Sequence, residues 1–590
     1  MWRRLTTFAA LSVVALSALA SHARAATITE FTRGLNPGAN LFDIVAGPGG
    51  TVRFTDDGNS PAIGQITSTG TITESGTGLP MGSAPSYIAS GPGGDLWFTD
   101  PGAGAMGRIT PAGTITEYTA GLDPSSAPDQ LVSGPGAVVW FTDPGNGEVG
   151  KVTSAGAITE YFNGLSPGSE PGDLVVGPDG NLWFTDIGSP SAIGRITPAA
   201  AITEYSTGLG PGASPVHIVS GKDGNLWFPD AGMTPAVGRV TPGGAITEYS
   251  TVTGYGIASS PGSAPSDLVA GPDGNLWFTE TGSPSSIGRI TPAGMITDYT
   301  TGLNPGSAPN DLVAGPDGNL WFTDAGQTPA IGRVTPAGTI TEYTSGLSSG
   351  SAPNLIVPGG DGRLWFLDNG STPAIGVVEL PPDVTTGTVR GVTSTAATVS
   401  GTVNPLGAAT TTAFHYGTTP ALGSTLAATP LAAAGTSKAV TATVAGLPQG
   451  TKIYYRLTAT NASGTTAGAT QSFTTIAASS ERTIRARFDN QRIALTLPSL
   501  SVCAANTKTL DVALTSTRVP KSRAPKLRFK RATFSVGKHR RKQIVHHLPA
   551  TVALRLMGLK PGLRTLKVVL SYEHGHKVAA LILKVGFRVC

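Results

Sequence analysis

Apolar residues in this chain fall in runs of four or five, each bounded by Gly, Pro or Asp. Runs that short suit strands and not helices. One representative stretch reads Asn310-Asp311-Leu312-Val313-Ala314, Gly315-Pro316-Asp317-Gly318 and Asn319-Leu320-Trp321-Phe322-Thr323-Asp324. It continues with Ile331-Gly332-Arg333-Val334-Thr335 and Thr339-Ile340-Thr341-Glu342-Tyr343. This pattern predicts four antiparallel strands joined by tight turns. Asp317-Gly318 predicts a two-residue hairpin loop, because such loops need positive φ. Asp-Gly recurs at 179–180, 223–224, 273–274 and 361–362.

The whole stretch repeats. Trp-Phe recurs at Trp97, Trp140, Trp183, Trp227, Trp277, Trp321 and Trp365, with Arg53-Phe54 in an earlier degenerate copy. Neighbouring copies lie 43 or 44 residues apart, except for one interval of 50. Four strands in about 44 residues is the size of a propeller blade. The fold class predicted is all-β: an eight-bladed β-propeller of four-stranded blades, followed by two β-sandwich domains. Ile28-Thr29-Glu30-Phe31 is a fourth-strand sequence with no first three before it, and the last unit stops after Ile375–Glu379. The N-terminal strand is therefore expected to complete the last blade and remove two exposed edges. The recurring Trp is read as wedge packing between sheets. The acid three places after it (Asp56, Asp100, Asp143, Asp186, Asp230, Glu280, Asp324, Asp368) is expected to cap a turn or pair with a neighbouring blade.

Charge divides the chain. Residues 26–380 hold 10 Lys/Arg against 32 Asp/Glu, whereas residues 482–590 hold 23 against 3. An acidic body thus carries a basic tail domain. Only 13% of residues are charged, which excludes a coiled coil, and two cysteines exclude a Cys-rich metal scaffold. Arg3-Arg4, the apolar run Leu5 to Ala20 and Ala23-Arg24-Ala25 predict an export signal over 1–25. No later run is long and apolar enough to span a membrane, so a secreted or envelope-associated protein is expected. In that compartment Cys503 and Cys590 are expected to form a disulfide.

The expected domains are the signal at 1–25, the propeller at 26–380, a sandwich at 381–476 and a basic sandwich at 477–590. Pro381-Pro382 is read as a linker. Residues 383–475 resemble a fibronectin type III domain through Gly446-Leu447-Pro448-Gln449-Gly450-Thr451-Lys452-Ile453-Tyr454-Tyr455-Arg456 and Ala459-Thr460-Asn461. The basic domain alternates as in Leu566–Tyr572 and predicts a second, Ig-like sandwich. Its Lys526, Arg528, Lys530, Arg531, Lys538, Arg540, Arg541 and Lys542 are expected to bind an anionic cell-envelope polymer, with a phospholipid surface or the acidic propeller as alternatives. No nucleic acid partner is expected, and His546-His547 and His574/His576 have no accompanying metal-ligand set.

The phrase Gly-Pro-Asp-Gly-Asn-Leu-Trp-Phe-Thr-Asp/Glu, then Ile-Gly-Arg-Ile-Thr, then Ile-Thr-Glu-Tyr, resembles the virginiamycin B (streptogramin) lyase family over about residues 26–380. The resemblance implies a propeller and, in lyase members, elimination at the ester of a cyclic depsipeptide with Mg²⁺. It also implies histidines directly after the Pro that opens strand one, and a Glu just beyond a Trp-Phe strand. Here the residues directly after that Pro are Ser86, Asp129, Gly172, Val216, Ser266, Asn310 and Asn354, with Phe42 aligned in the first unit. His217 stands one place further on, where regular strand alternation would turn it to the opposite face. At the Glu position only Asp57 is acidic. The catalytic set is therefore unmatched and no catalytic residue, metal or cofactor is assigned, with Mg²⁺ implied only if the lyase alternative holds. The same face offers Tyr87, Asp129, His217, Tyr255, Asp267 and Asp311 as ligand-binding candidates. Tyr255 lies in a six-residue insertion. The function expected is binding of a small molecule or protein at this face of a bacterial envelope protein, with lyase activity as the alternative.

Overall fold

A computed structural model describes residues 26–250 and 264–477 with their side chains. Beyond these it describes backbone strands between Arg482 and Val589, with side chains only at Leu566, Val568, Val569 and Ser571. The signal at 1–25, Tyr255, Cys503, Cys590, Lys526, Lys538, Arg540, Arg541 and Lys542 lie outside the described residues. Arg528, Lys530 and Arg531 lie on the strand Arg528–Val536, described as backbone.

Among the described residues, Thr27 to Glu379 form eight four-stranded antiparallel sheets. Each of the first seven is a meander of consecutive strands, such as Pro171–Val176, Leu182–Asp186, Ala192–Ile196 and Ile202–Tyr205 in the fourth. The eighth consists of Pro353–Pro358, Leu364–Asp368 and Ala374–Glu379, with Thr27–Phe31 as its outermost strand. The first strands of successive sheets contact one another in order, and that of the eighth contacts that of the first. The ring is therefore closed, with the first strands around its axis. This is a β-propeller.

The repeated aromatics explain the stacking. Every Trp of the motif is buried, and each packs into the core of the next sheet: Trp140 meets Leu174, Leu182, Phe184 and Ile196. The ring of the Phe after each Trp lies over the Gly of the third strand. A Cβ on Gly194 would stand 2.0 Å from Phe184 Cζ, so only glycine fits beneath the ring. An Arg on the third strand covers the Trp and the fourth-strand Tyr together; the Arg195 guanidinium lies 5.7 Å from the Trp183 ring and 5.6 Å from that of Tyr205.

The first hairpin of the motif differs from the two-residue loop expected. Gly177 N–H donates to Asn181 O and Gly180 N–H to Gly177 O, which leaves three residues in the loop. Pro178 fits the first central position of a type I turn, and Gly180 (φ 76°) supplies the left-handed residue after it. Asp179 accepts from Asn181 and from the Trp183 indole N–H at 3.1 Å.

The acids after the Trp motif cap turns within their own sheet. Asp186 Oδ1 accepts the N–H groups of Glu170 and Gly188, each at 2.8 Å, and Asp56, Asp324 and Asp368 repeat this arrangement. Each capping acid also faces a carboxyl from the fourth strand, such as Glu204 beside Asp186 and Glu342 beside Asp324.

Residues 383–474 form two facing sheets around Val399, Val403, Phe414, Tyr455 and Leu457. His415 lies 3.0 Å from the hydroxyls of Thr425 and Thr458, a structural setting. Pro381 and Pro382, read as a linker, are buried. The reason is apolar: Leu406, fully buried, joins Leu380, Leu364 and Trp321 in a cluster of the eighth sheet. Asn461 Nδ2 donates to Leu380 O at 2.8 Å across the same seam. Further on, Arg482–Phe488, Gln491–Leu497, Thr509–Arg518 and Ala550–Arg555 form one four-stranded sheet. Gln543–Val545, Arg528–Val536, Gly562–His574 and Lys577–Val589 form another.

Candidate functional site

The axial end of the propeller is built by a bulge. In the fourth sheet Pro171 pairs with Asp186 and Leu174 with Phe184, so Gly172 and Asp173 together oppose Thr185. The first, sixth, seventh and eighth sheets carry the same irregularity. In the fifth, Pro215 bridges Asp230 and Val219 pairs with Trp227, which leaves three residues, Val216, His217 and Ile218, against two, Phe228 and Pro229, again one extra. A bulge breaks strict alternation. His217 is therefore not turned away as regular strand geometry would have it. The second bulge residue faces its neighbours around the axis.

That position is occupied in turn by Asp43, Tyr87, Gln130, Asp173, His217, Asp267, Asp311 and Leu355. Four of these aspartates tie one sheet to the next. Asp43 Oδ2 accepts Ile88 N–H at 2.8 Å, Asp173 accepts Ile218, Asp267 accepts Leu312 and Asp311 accepts Ile356. The N–H of each is held by the threonine hydroxyl opposite, at 3.0 or 3.1 Å. The ring acids are thus fixed before any ligand arrives.

His217 sits between two of them. Its Nε2 is 3.3 Å from Asp173 Oδ2 and its Nδ1 3.2 Å from Asp267 Oδ1; 34% of the His217 side chain is exposed. No carboxylate partner of His217 was visible from its strand, and the structure supplies two. Burial works against its charge, but Asp173 and Asp267 outweigh that and raise its pKa. Burial pushes Asp43 up to about 6, and Asp129, Asp173 and Asp311 are raised for the same first reason. Asp267 adds to the effect on Asp311. Tyr87 is raised too, by burial and then by the charges of Asp129, Asp43 and Asp173. Its ring stands edge-on to Phe42 at 5.0 Å.

The structure thus gathers Tyr87, Asp129, His217, Asp267 and Asp311 on one face. It adds Asp43, Asp173 and Gln130, which the sequence reading missed. The available signal was the column two places after the strand-opening Pro. These residues do not converge on a metal ion: among the described residues, the one set of three whose ligand atoms lie mutually within 4.8 Å is Asp123, Glu148 and Glu160, elsewhere in the ring. Among the described residues no helix is long and apolar enough to cross a membrane.

Comparison with solved structures finds the streptogramin B lyase structure at 29% identity and TM-score 0.41, covering 60% of this chain and 98% of that one. Virginiamycin B lyase from Staphylococcus aureus gives 29%, 0.41, 60% and 99%. A catalytically inactive histidine-to-alanine variant of that enzyme, with quinupristin, gives 28% and 0.41 over 60% of this chain and 99% of that one. No curated protein matches the chain. The family model described as the virginiamycin B lyase family matches residues 35–255 and 250–412, running past the propeller into the first sandwich. That match spans more than half of the sequence, and the chain belongs to the virginiamycin B lyase family.

Proposed function

We propose that the propeller is a ligand-binding module whose axial ring takes a cationic group, an amine or guanidinium. The observation that supports this is the balance of the ring. Among the described residues, Asp43, Asp129, Asp173, Asp267 and Asp311 face a single cation, His217, whose Nε2 and Nδ1 lie 3.3 and 3.2 Å from Asp173 and Asp267. A general base needs an unprotonated nitrogen within reach of the proton it removes, and Asp173 and Asp267 beside the two His217 nitrogens favour its charged form. A partly buried acidic ring, in contrast, strengthens charge-assisted hydrogen bonds to a cation. Calorimetric titration of the full chain with spermidine and with an arginine-rich peptide tests this. Asp311→Asn, which keeps the acceptor for Ile356, is expected to weaken binding about tenfold or more. Affinity should also fall as salt rises. An unchanged affinity, or no binding, defeats the reading.

A second reading, elimination on a streptogramin-like cyclic depsipeptide, is favoured by the partial exposure of His217 within the family fold. Incubation with virginiamycin B and Mg²⁺ separates the two. Ring opening that disappears in His217→Ala would replace binding with catalysis.

We also propose that the protein works outside the cytoplasm and that its basic C-terminal domain holds it at an anionic envelope. The support is the excess of 20 positive charges in residues 482–590. Such contacts act within about 8 Å at physiological salt. The full chain should sediment with cell-wall fractions at low salt and be released near 1 M, while a chain ending at residue 477 should stay in solution. Equal sedimentation of both chains would exclude the idea.

A further inference from the structure

The third sheet departs from the repeat at three places, and all three meet at one point. Its third strand opens with Glu148, where six of the other sheets carry Ala and one carries Ser. The loop before it, Asp143-Pro144-Gly145-Asn146-Gly147, matches the second sheet's Asp100-Pro101-Gly102-Ala103-Gly104 except at Asn146. The loop entering the sheet has Asp123 where the second sheet has Pro80 and the first and seventh have Asn36 and Asn304.

Asp123 and Glu148 join Glu160, a carboxylate that the repeat already places there. Ligand oxygens of the three lie mutually within 4.8 Å. Glu148 is only 8% exposed, and its Oε2 is buried with no hydrogen-bond donor. Asp123 N–H fixes Glu160 Oε2 at 3.1 Å, and Asn146 Nδ2 reaches Asp143 Oδ2 at 3.2 Å. Among the described residues no Lys, Arg or His pairs with these carboxylates. A carboxylate placed in a site built for a methyl group is costly unless a cation or a proton meets it.

We propose that Asp123, Glu148 and Glu160 bind a divalent cation of calcium's class at the edge of the third sheet. Oxygen-only ligands select a hard cation, and an irregular set with one exposed member suits Ca²⁺ better than the strict octahedron of Mg²⁺. Asp123, exposed, gives the ion a path from solvent. Burial, then Asp123 and Asp143, raises the pKa of Glu148, against a lowering contact with Glu160. The axial ring takes no part, so this site stands or falls apart from the proposed ligand binding.

The test uses the full chain, Ca²⁺ as probe, and Glu148→Ala, which restores the residue of the other sheets. At about 10 mM Ca²⁺ the wild-type melting temperature should rise by about 2–4 °C, given an affinity of roughly 10⁻⁴–10⁻³ M. Glu148→Ala should lose the shift, and with chelator present should melt no lower than wild type. Asp123→Asn, a change in an exposed loop, should weaken calorimetric Ca²⁺ binding about tenfold. Absence of binding by the wild-type chain, an equal shift in Glu148→Ala, or an equal response to Mg²⁺ would overturn the assignment.

Discussion

A chain lacking residues 1–32 should melt at least about 10 °C below the intact protein and should associate. Thr27–Phe31 pairs residue for residue with Ile375–Glu379 and is the outermost strand of the eighth sheet. Ile28 is buried among Trp321, Ile331, Phe366 and Val378. Phe31 packs on Trp365 with ring centroids 6.4 Å apart, and Glu30 accepts Ser348 N–H at 2.8 Å. Removing a buried aliphatic or aromatic side chain costs about 2–5 kcal/mol, and each kcal/mol moves the melting temperature of a large domain by about 2–4 °C. The bare edge of Ala374–Glu379 would then seek another strand. Melting curves with light scattering measure both effects. A chain without residues 1–32 that melts like the intact one and stays monomeric would show that closure by this strand contributes little.

Raising the pH from about 5.5 to 8.5 should weaken the propeller progressively. Glu74, Glu248 and Glu342 are pushed up to about 7 and Glu117 to about 8, first by burial and then by the capping acid beside each. Asp298 is likewise pushed to about 7 by burial and Glu280. The geometry agrees, since Asp56 Oδ2, Glu74 Oε1, Asp100 Oδ2 and both Glu117 oxygens are buried with no donor. A proton held between the two carboxyls supplies that donor. Because the folded chain binds these protons more tightly than the unfolded chain, their contribution is complete below about pH 4.5 and is lost as pH rises through about 7–8. Asp179, Asp223 and Asp273 act oppositely. Their hydrogen bonds to Asn and Trp N–H overcome the effect of burial and lower their pKa, so their support is lost only in strong acid. Stability should therefore peak in mild acid. Solvent screening leaves each half-exposed pair worth about 0.5 kcal/mol, and the ring a few kcal/mol. Urea midpoints across this pH range measure the loss. Glu248→Gln with Glu342→Gln should flatten the slope, because an amide donates without titrating. A midpoint that is flat or rises with pH would contradict the shared protons.

The propeller was legible because its signal is redundant. Trp-Phe and the Gly of Ile-Gly-Arg occupy the same register in sheet after sheet, and Ile28–Phe31 completes a sheet visibly one strand short. The capping role of Asp56 and its counterparts was also foreseen. What escaped was local backbone irregularity. The bulge after Pro215 depends on a pairing partner more than ten residues away, so a strand read alone puts His217 on the wrong side. The hairpin at Asp179 was misjudged for a similar reason: Pro178 and Gly180 together set a three-residue loop that the Asp-Gly pair alone does not reveal. Asp43 and Asp173 were passed over although they share a column with Asp267 and Asp311. Their link to the next sheet's N–H exists only once the ring has formed. Glu148 stands in the sequence as the acid in an alanine column, but its two companions, Asp123 and Glu160, become neighbours only in space. The burial of Pro381-Pro382, read as a linker, was not visible from the pair itself because Leu406, which packs on Leu380 beside it, lies some two dozen residues further on.

Synthesis imposes an order on the closing strand. Phe31 leaves the ribosome about 350 residues ahead of Glu379, an interval of roughly 20–70 s at ordinary translation rates. Through that time the strand has no legitimate neighbour, whereas the meanders between can complete themselves as they emerge. Two chains growing side by side each offer a free first strand to the other's unfinished last sheet. The registers are identical, so exchange between them would satisfy the same hydrogen bonds as closure within one chain. Reciprocal exchange gives an interlocked dimer with every sheet complete, held apart from the monomer by the time needed to unzip a strand. The ratio of the two forms should then depend on how crowded the nascent chains are, and not on the stability of either product.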